Sequence, residues 1–436
     1  MAVRVPPVMR RLRSATLGRP RLPARLSARR GRILALLGLL GPGLIAANAG
    51  NDAGGVATYA SAGAKYGYGL LWTIVLITLS LGIVQMLAAR MGVVTGKGLA
   101  ELIREEYGIR WSVLATSAVL VANLGICISD FVGVGAALGL AGIPAQASVP
   151  VAALGIWLII VRGSYRSAER VFIAFTIPFF AYPIAAILAR PHWGDVGKAI
   201  VAPHLHAGSS YVLLLIATAG TTITPYMQLY LQSAVVDRGT REDELPREER
   251  EAISGAVFAN LVAAFIVIAT GATLFTHGVH HISSAADAAR ALNPFAGHYA
   301  EVLFGVGLLG ASLLAAAILP IATAYVISES LGYEKGIGRR REEAPVFVNI
   351  ITTMIIFSAF VAIIPGVPVI SLLVGVQVVN GLLLPINLFF IWRLARSTHV
   401  MGARSSRGLL DLATGLTVTV LSALSLVLVI MTATGG

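Results

Sequence analysis

Long apolar runs separated by short charged segments occupy most of this chain. The runs lie at about residues 33–64, 70–89, 111–140, 149–161, 171–188, 211–235, 252–275, 302–331, 346–364, 369–392 and 409–431. Most of them approach the roughly 20 residues that a helix needs to cross the hydrocarbon core of a bilayer, and the longest can tilt or break. The pattern predicts an all-α polytopic membrane protein with about 11 transmembrane helices. We number these predicted spans 1 to 11 in chain order.

The composition agrees with a membrane protein. Of the 436 residues, 56% are hydrophobic and 12% are charged, and the mean hydropathy is +0.81. In a soluble chain the net charge of +12 would suggest a nucleic-acid ligand, but here the basic residues cluster between apolar runs, where membrane topology explains them. No phosphate-binding loop or nucleophilic triad is evident. We therefore expect a protein of the lipid bilayer that binds no nucleic acid, needs no cofactor and is not an enzyme.

The basic residues are distributed unevenly between the two sets of loops. Loops after the even-numbered spans are rich in arginine, whereas those after the odd-numbered spans carry only Lys65, Arg190, Lys198 and Arg290. Because lysine and arginine accumulate on the cytoplasmic side, the amino terminus is predicted to be cytoplasmic and the carboxyl terminus extracellular. Residues 1–32, rich in arginine and without an acid, are then a basic cytoplasmic tail, although an organellar transit peptide has a similar composition. The expected location is a bacterial plasma membrane.

Span 1 is interrupted near its middle by Asp52 and by the adjacent Gly54 and Gly55. A carboxylate in hydrocarbon is costly and is usually kept only where it faces a cavity or a partner, and each glycine lowers helix propensity by about 1 kcal/mol. The simplest interpretation is a helix that unwinds at Asp52 and frees backbone carbonyls beside a carboxylate, as in the cation sites of many secondary transporters. The alternative is a re-entrant or extracellular turn between two shorter helices.

Span 6 contains a second interruption, at residues 218–227, where a glycine, four threonines and Pro225 lie at mid-membrane. Proline removes a backbone donor and clashes with the preceding turn, so this helix is also predicted to kink or open. Breaks in spans 1 and 6, five spans apart, are what an inverted repeat of five plus five helices predicts. The expected organisation is a tail (1–32), a first five-helix repeat (33–190), a second repeat (208–393) and an eleventh helix (409–433).

Three segments carry a resemblance to a known family. Gly41-Pro42-Gly43-Leu44, Tyr66-Gly67-Tyr68 and the run QMLAARMGVVTGK at residues 85–97 resemble the Nramp transporters of divalent transition metals. The resemblance implies a LeuT-type fold with a metal site between unwound helices 1 and 6. In the family the first-helix motif is Asp-Pro-Gly-Asn and the sixth-helix motif is Met-Pro-His, and the aspartate, asparagine and methionine side chains contact the metal.

The chain departs from both family motifs. Asp52 matches the aspartate, but Gly55 stands at the asparagine position. In span 6, Thr224 stands at the methionine position, Pro225 matches, and Tyr226 replaces the histidine. These changes resemble the branch of Nramp-related magnesium transporters. A thioether favours transition metals and a hydroxyl does not, and losing the two larger side chains is expected to enlarge the cavity for a partly hydrated Mg²⁺.

The predicted metal site comprises Asp52, Gly55, Thr221, Thr224, Tyr226 and Gln377. Asp52 is the direct or water-mediated anchor, and the two threonines are polar lining. Gln377 in span 10 matches a family glutamine that joins the site on closure, with an interhelical hydrogen bond as the alternative. Asp130, the only acid of span 3, corresponds to a family proton route or is an interfacial carboxylate near an opening. Glu329, near the end of span 8, is expected at the cytoplasmic mouth in an ion pair or gate.

The leading hypothesis is a secondary transporter for uncoupled, potential-driven uptake of Mg²⁺, and also Mn²⁺, as substrate. Uncoupled transport is expected because Tyr226 and Gln232 stand where the family has the sixth-helix histidines of its proton route. The membrane potential suffices, since a divalent ion gains about 4.6 kcal/mol per 100 mV. The alternatives are a proton-coupled Mn²⁺/Fe²⁺ importer of the ordinary Nramp type, an organic-solute carrier on the same fold and a non-transporting receptor. We expect a monomer.

Overall fold

A computed structural model describes residues 42–203, 208–282, 288–289, 292–293, 297–364 and 369–434. The predicted basic tail and the start of span 1 lie outside these residues. The described chain forms α-helices joined by short turns and 3-10 segments. The helices are α1 (Pro42–Ala49), α2 (Ala53–Tyr66), α3 (Leu71–Thr95), α4 (Leu99–Tyr107), α5 (Ile109–Gly139), α6 (Ala145–Arg162), α7 (Tyr165–Thr176), α8 (Ala181–Leu188), α9 (Trp193–Val201), α10 (Ser209–Thr222), α11 (Pro225–Asp237), α12 (Leu245–Thr273), α13 (His298–Leu331), α14 (Pro345–Ala362), α15 (Val369–Arg396), α16 (Thr398–Met401) and α17 (Leu409–Thr434).

Ten helical segments of the described chain are long and apolar enough to cross a membrane, and they correspond to predicted spans 2 to 11. The described part of span 1 consists of α1 and α2, which are separated by the non-helical residues 50–52. Span 6 is divided into α10 and α11 at Ile223 and Thr224. The predictions of an all-α fold and of breaks in spans 1 and 6 are therefore confirmed.

Each break is formed by the residues that signalled it in the sequence. Asp52 has an extended backbone and its side chain accepts a hydrogen bond from the Gly55 N–H, so it is the N-cap of α2. Pro225 is the first residue of α11, where a missing N–H costs nothing because that donor has no intrahelical partner. The residue before a proline is kept out of the helical region, and Thr224 is accordingly extended.

The helices of span 7 and span 8 form the centre of the molecule. α12 packs along α1, α2 and α3, and α13 packs along α5 and α14. Glycine permits the closest of these crossings, because a Cβ added at Gly255 would lie 2.7 Å from the Gly43 carbonyl oxygen. The Gly43 N–H also donates to the buried Glu251 carboxylate at 3.1 Å. α1 therefore crosses α12 with backbone against backbone and is capped by a carboxylate of that helix.

The outer surface of the helices is apolar. Large hydrophobic side chains are exposed on α3, α6, α14 and α17, among them Leu79, Val151, Phe360 and Leu416. An apolar exterior of this extent suits lipid and would be unstable in water. Together with the ten membrane-crossing segments, it identifies an integral membrane protein.

Candidate functional site

Asp52 lies at the break of span 1 and is fully buried. Its Oδ1 accepts the Gly55 N–H at 2.5 Å. The side-chain amide of Gln377, on α15, donates to Oδ1 at 2.9 Å and to Oδ2 at 3.0 Å. The amino end of a helix carries partial positive charge, which stabilises a carboxylate there. The predicted anchor and the predicted span 10 glutamine are thus in direct contact.

Asp130, on α5, reaches the same turn of α2. Its Oδ1 accepts the Ala53 N–H at 3.0 Å, and its Oδ2 is buried without a hydrogen-bond partner. Of the two alternatives for Asp130, the structure argues against an interfacial carboxylate near an opening, because the residue is fully buried. A role in a proton route stays a prediction. Within the described chain, neither Asp130 nor Asp52 forms a salt bridge with lysine or arginine. Two carboxylates without a basic partner consequently meet at one helix end.

Hydroxyl groups of span 6 bind the carbonyl end of α1. The last carbonyls of a helix have no intrahelical partner. The Tyr226 hydroxyl donates to the Ala49 carbonyl at 2.6 Å, and the Thr221 hydroxyl donates to the Gly50 carbonyl at 3.2 Å. Tyr226 and Thr221 therefore lie between the two breaks, and both join one broken span to the other. Their role as metal-site residues stays a prediction.

The space beside Gly55 is lined by oxygen atoms. A Cβ added at Gly55 would lie 2.7 Å from the Thr221 hydroxyl, 2.8 Å from the Gly50 carbonyl and 3.2 Å from Asp52 Oδ1. The expectation that Gly55 leaves an enlarged cavity is wrong for this conformation, because these three oxygens lie in the space beside it. Three convergent oxygens are nevertheless a donor set for hard divalent ions.

Thr224 lies in the break of span 6, and Met227 contacts the break of span 1 from α11. The Thr224 hydroxyl is buried and has no hydrogen-bond partner among the described residues. A Cβ added at Gly50 would lie 3.2 Å from the Met227 sulfur and would clash with its terminal methyl. A thioether therefore packs against the break of span 1. It belongs to Met227 and not to residue 224, where the family has its methionine. The comparison of motif positions missed it, although residues three apart lie on one side of a helix.

A second amide of α15 accompanies Gln377. Asn380 donates to the Gly220 carbonyl of α10 at 2.7 Å, so one face of α15 touches both broken spans. Gly54 makes room for the Gln377 contact, because a Cβ there would lie 2.5 Å from the Gln377 nitrogen. The Gln377 Oε1 is buried without a partner. Sequence reasoning overlooked Asn380, whose only signal was a polar residue three positions from Gln377 in an apolar run.

The donors at this site are oxygens of several kinds. Two carboxylates, threonine and tyrosine hydroxyls and the carbonyls at the end of α1 meet between the broken spans. Within the described residues, no group of three or more His, Cys, Asp or Glu side chains is arranged to hold a metal ion. Mg²⁺ and Mn²⁺ are typically held by carboxylates, carbonyls and retained water. The fold and site define a polytopic membrane protein with a buried polar site between two discontinuous helices.

Comparison with known proteins identifies the family. The family model described as natural resistance-associated macrophage protein-like (Nramp) matches residues 43–431, and the chain belongs to this family. The divalent metal cation transporter MntH of Deinococcus radiodurans is 29% identical over 385 residues, which cover 85% of each protein.

Solved structures share the fold. The manganese transporter of Eremococcus coleocola superposes with a TM-score of 0.74 at 22% identity, over 94% of this chain and 88% of that one. MhsT, crystallised in complex with L-phenylalanine, superposes with a TM-score of 0.61 at 14% identity, over 89% of this chain and 97% of that one. The predicted LeuT-type fold is thereby confirmed.

Proposed function

We propose that this protein transports divalent metal cations across a membrane. The observation that carries the proposal is the meeting of Asp52 and Asp130, both fully buried, at one turn of α2. Two buried carboxylates repel each other and lose hydration, so their charged forms need a positive partner. One divalent cation provides both charges that the pair requires. The names of the relatives, which are manganese and divalent metal cation transporters, support the same class of substrate.

Within this class we propose uncoupled uptake of Mg²⁺, and also of Mn²⁺, driven by the membrane potential. The side chains at the two altered positions of span 6 donate to backbone carbonyls, Tyr226 to Ala49 at 2.6 Å and Gln232 to Lys97 at 2.9 Å. Neither side chain exchanges a proton near neutral pH. The donors that converge beside Gly55 are oxygens, which favour a hard ion that keeps part of its water.

Proton-coupled Mn²⁺ import is the second candidate function. Two observations favour it: the Met227 thioether at the break, which is a soft donor, and Asp130, a carboxylate beside the anchor that is able to carry a proton. The names of the relatives suit this function equally well. An organic-solute carrier gains less support, because the carboxylate of Asp52 would repel an anionic substrate end.

Transport into proteoliposomes tests the proposal. The vesicles enclose a Mg²⁺-sensitive dye in one series, a Mn²⁺-sensitive dye in a second and a pH dye in a third, with an inside-negative potential. Mg²⁺ entry without acidification is expected. Asp52→Asn should abolish it, whereas Asp195→Asn, at an exposed carboxylate paired with Lys198 on α9, should not change it.

The two candidate functions differ in outcome. Entry of Mn²⁺ alone, accompanied by acidification, would establish the second and reject the first. Met227→Leu conserves volume and removes the sulfur. It should leave Mg²⁺ uptake within about twofold of wild type if oxygens do the binding, and should lower Mn²⁺ uptake selectively if the thioether does. Absence of flux for both ions would reject the transporter.

A further inference from the structure

A polar cavity lies at the other end of α11 from the broken segment. Its volume is about 510 Å³, and its lining includes Ser233 and Asp237 of α11, Glu329 of α13, Glu101 of α4 and Lys335 of the following loop. The loop after α13 is one of the arginine-rich loops that the charge distribution assigns to the cytoplasm. From Thr224 to Ser233, α11 rises by about 13 Å. The cavity is therefore one short helix away from the site at Asp52.

Glu329 is the most deeply buried acid of this cavity. Its side chain has no exposed surface, and its Oε1 accepts the Ser233 hydroxyl at 2.6 Å and lies 2.9 Å from the Lys335 ammonium. Its Oε2 is buried without a hydrogen-bond partner. The carboxylate packs on Gly98, where any Cβ would collide with it. The prediction of an ion pair is confirmed, and one carboxylate oxygen of Glu329 has no hydrogen-bond partner among the described residues.

The Lys335 ammonium bridges two carboxylates from different helices. It lies 2.9 Å from Glu329 Oε1 and 3.2 Å from Glu101 Oε2. A cation tethered to the chain is thus held by carboxylate oxygens, with the Ser233 hydroxyl on the same Oε1. Removing one partner of a buried ion pair is strongly destabilising. If the Lys335 ammonium leaves Glu329, another cation therefore has to take its place.

We propose that Glu101 and Glu329 form a second divalent-cation site, which the Lys335 ammonium fills in this conformation and which a passing ion takes over. The inference rests on the proposed transport of divalent cations, since it places the second site on the path that α11 lines. The divalent cation and the Lys335 ammonium compete for the same carboxylate oxygens, so only one of them neutralises Glu329 at a time. Two carboxylates with retained water bind Mg²⁺ or Mn²⁺ loosely, which suits a site of transit.

Binding of Mn²⁺ to purified protein in detergent tests the second site without any transport. Free Mn²⁺ is counted by electron paramagnetic resonance, in an Asp52→Asn background that disables the first site. Adding Lys335→Gln is expected to add one bound Mn²⁺ per chain, and adding Glu329→Gln as well should remove it. Lys198→Gln is the matched control, because that lysine pairs with the exposed Asp195 at 3.6 Å on α9, and it should add none.

A labelling experiment on the unmodified chain guards against a variant that fails to fold. Lys335 is about a quarter exposed and Lys198 is mostly exposed, so both react with an acylating reagent whose products mass spectrometry resolves. Mn²⁺ at millimolar concentration should raise the acylation rate of Lys335 at least threefold and leave that of Lys198 unchanged. The same rise is expected in Asp52→Asn.

The outcomes separate this site from the transport proposal. An unchanged Lys335 rate, no added Mn²⁺ in a folded Lys335→Gln protein, or added Mn²⁺ that survives Glu329→Gln would each overturn the second site. If Mn²⁺ binds through Glu329 but the wild-type protein carries no flux in proteoliposomes, the second site is upheld and the transporter is rejected.

Discussion

Replacement of Gly55 by alanine separates two opposing effects whose sizes the structure allows us to compare. In an unconstrained helix, glycine to alanine stabilises by about 0.5–1 kcal/mol. Here the new methyl carbon would lie 2.7 Å from the Thr221 hydroxyl and 2.8 Å from the Gly50 carbonyl, where ordinary contact begins at 3.4 Å. Overpacking of this kind costs about 1–3 kcal/mol. The steric effect is the larger, so Gly55→Ala should lower the free energy of unfolding.

The same methyl should weaken metal binding. The methyl group pushes the Thr221 hydroxyl and the Gly50 carbonyl oxygen away from residue 55. Each has to move by about the difference between its present distance and an ordinary contact distance. Loss of one oxygen contact to a charged partner is worth about 1.5–3 kcal/mol, which corresponds to roughly a 10- to 100-fold rise in the half-saturating metal concentration. Uptake into proteoliposomes over a range of Mg²⁺ and Mn²⁺ concentrations measures it, with the thermal midpoint as the stability readout.

Gly82→Ala is the matched control, because a Cβ added at Gly82 on α3 meets nothing within 4 Å. It should raise the thermal midpoint or leave it unchanged, with wild-type uptake. If Gly55→Ala behaved in the same way, the oxygens around Gly55 would be free to move and their role as a constrained donor set would be refuted.

Three further substitutions follow from individual hydrogen bonds. Asp52→Asn should fold with a near-native thermal midpoint, because asparagine caps a helix as well as aspartate does, but its metal uptake should vanish; retained uptake would remove Asp52 from the site. Gln377→Leu deletes both hydrogen bonds to the Asp52 carboxylate and should slow uptake at least tenfold. Gln85→Leu removes a buried amide without a hydrogen-bond partner in the described chain and should not slow it. Equal uptake rates in the two variants would contradict the placement of Gln377 in the site. Tyr226→Phe leaves the last carbonyl of α1 unbonded and should lower the free energy of unfolding by about 1–2 kcal/mol in a denaturation experiment, whereas Tyr299→Phe, at a residue that is 80% exposed, should change nothing.

Local signals in the sequence were sufficient for the helices and their breaks. Hydropathy over about 20 residues locates a membrane span, and the pairing of Asp52 with two glycines and the position of Pro225 mark where the helix geometry fails. The structure has both breaks at these residues. The organisation into two five-helix repeats and the orientation of the termini remain predictions.

The contacts within the site depended on information that the sequence does not contain locally. Gln377 reaches Asp52 across 325 positions, and only the family resemblance pointed to it. The closure of oxygens around Gly55 and the approach of Met227 to Gly50 depend on where two half-helices cross, which residue type alone does not determine. The bridge from Lys335 to two carboxylates requires the path of a loop. The sequence pattern thus locates the candidate site residues, and tertiary packing decides which of their atoms meet.

The two amides of α15 give that helix a mechanical role. Gln377 holds the first broken span through Asp52, and Asn380 holds the second through the Gly220 carbonyl. Because both side chains belong to the same helix, a rotation of α15 would strain both hydrogen bonds at once. We therefore expect the two broken spans to be energetically coupled through α15, so that the free energies lost on deleting each amide should sum to more than the loss in the double deletion. If the protein transports divalent cations as proposed, this shared attachment predicts that both broken spans release the ion in a single step.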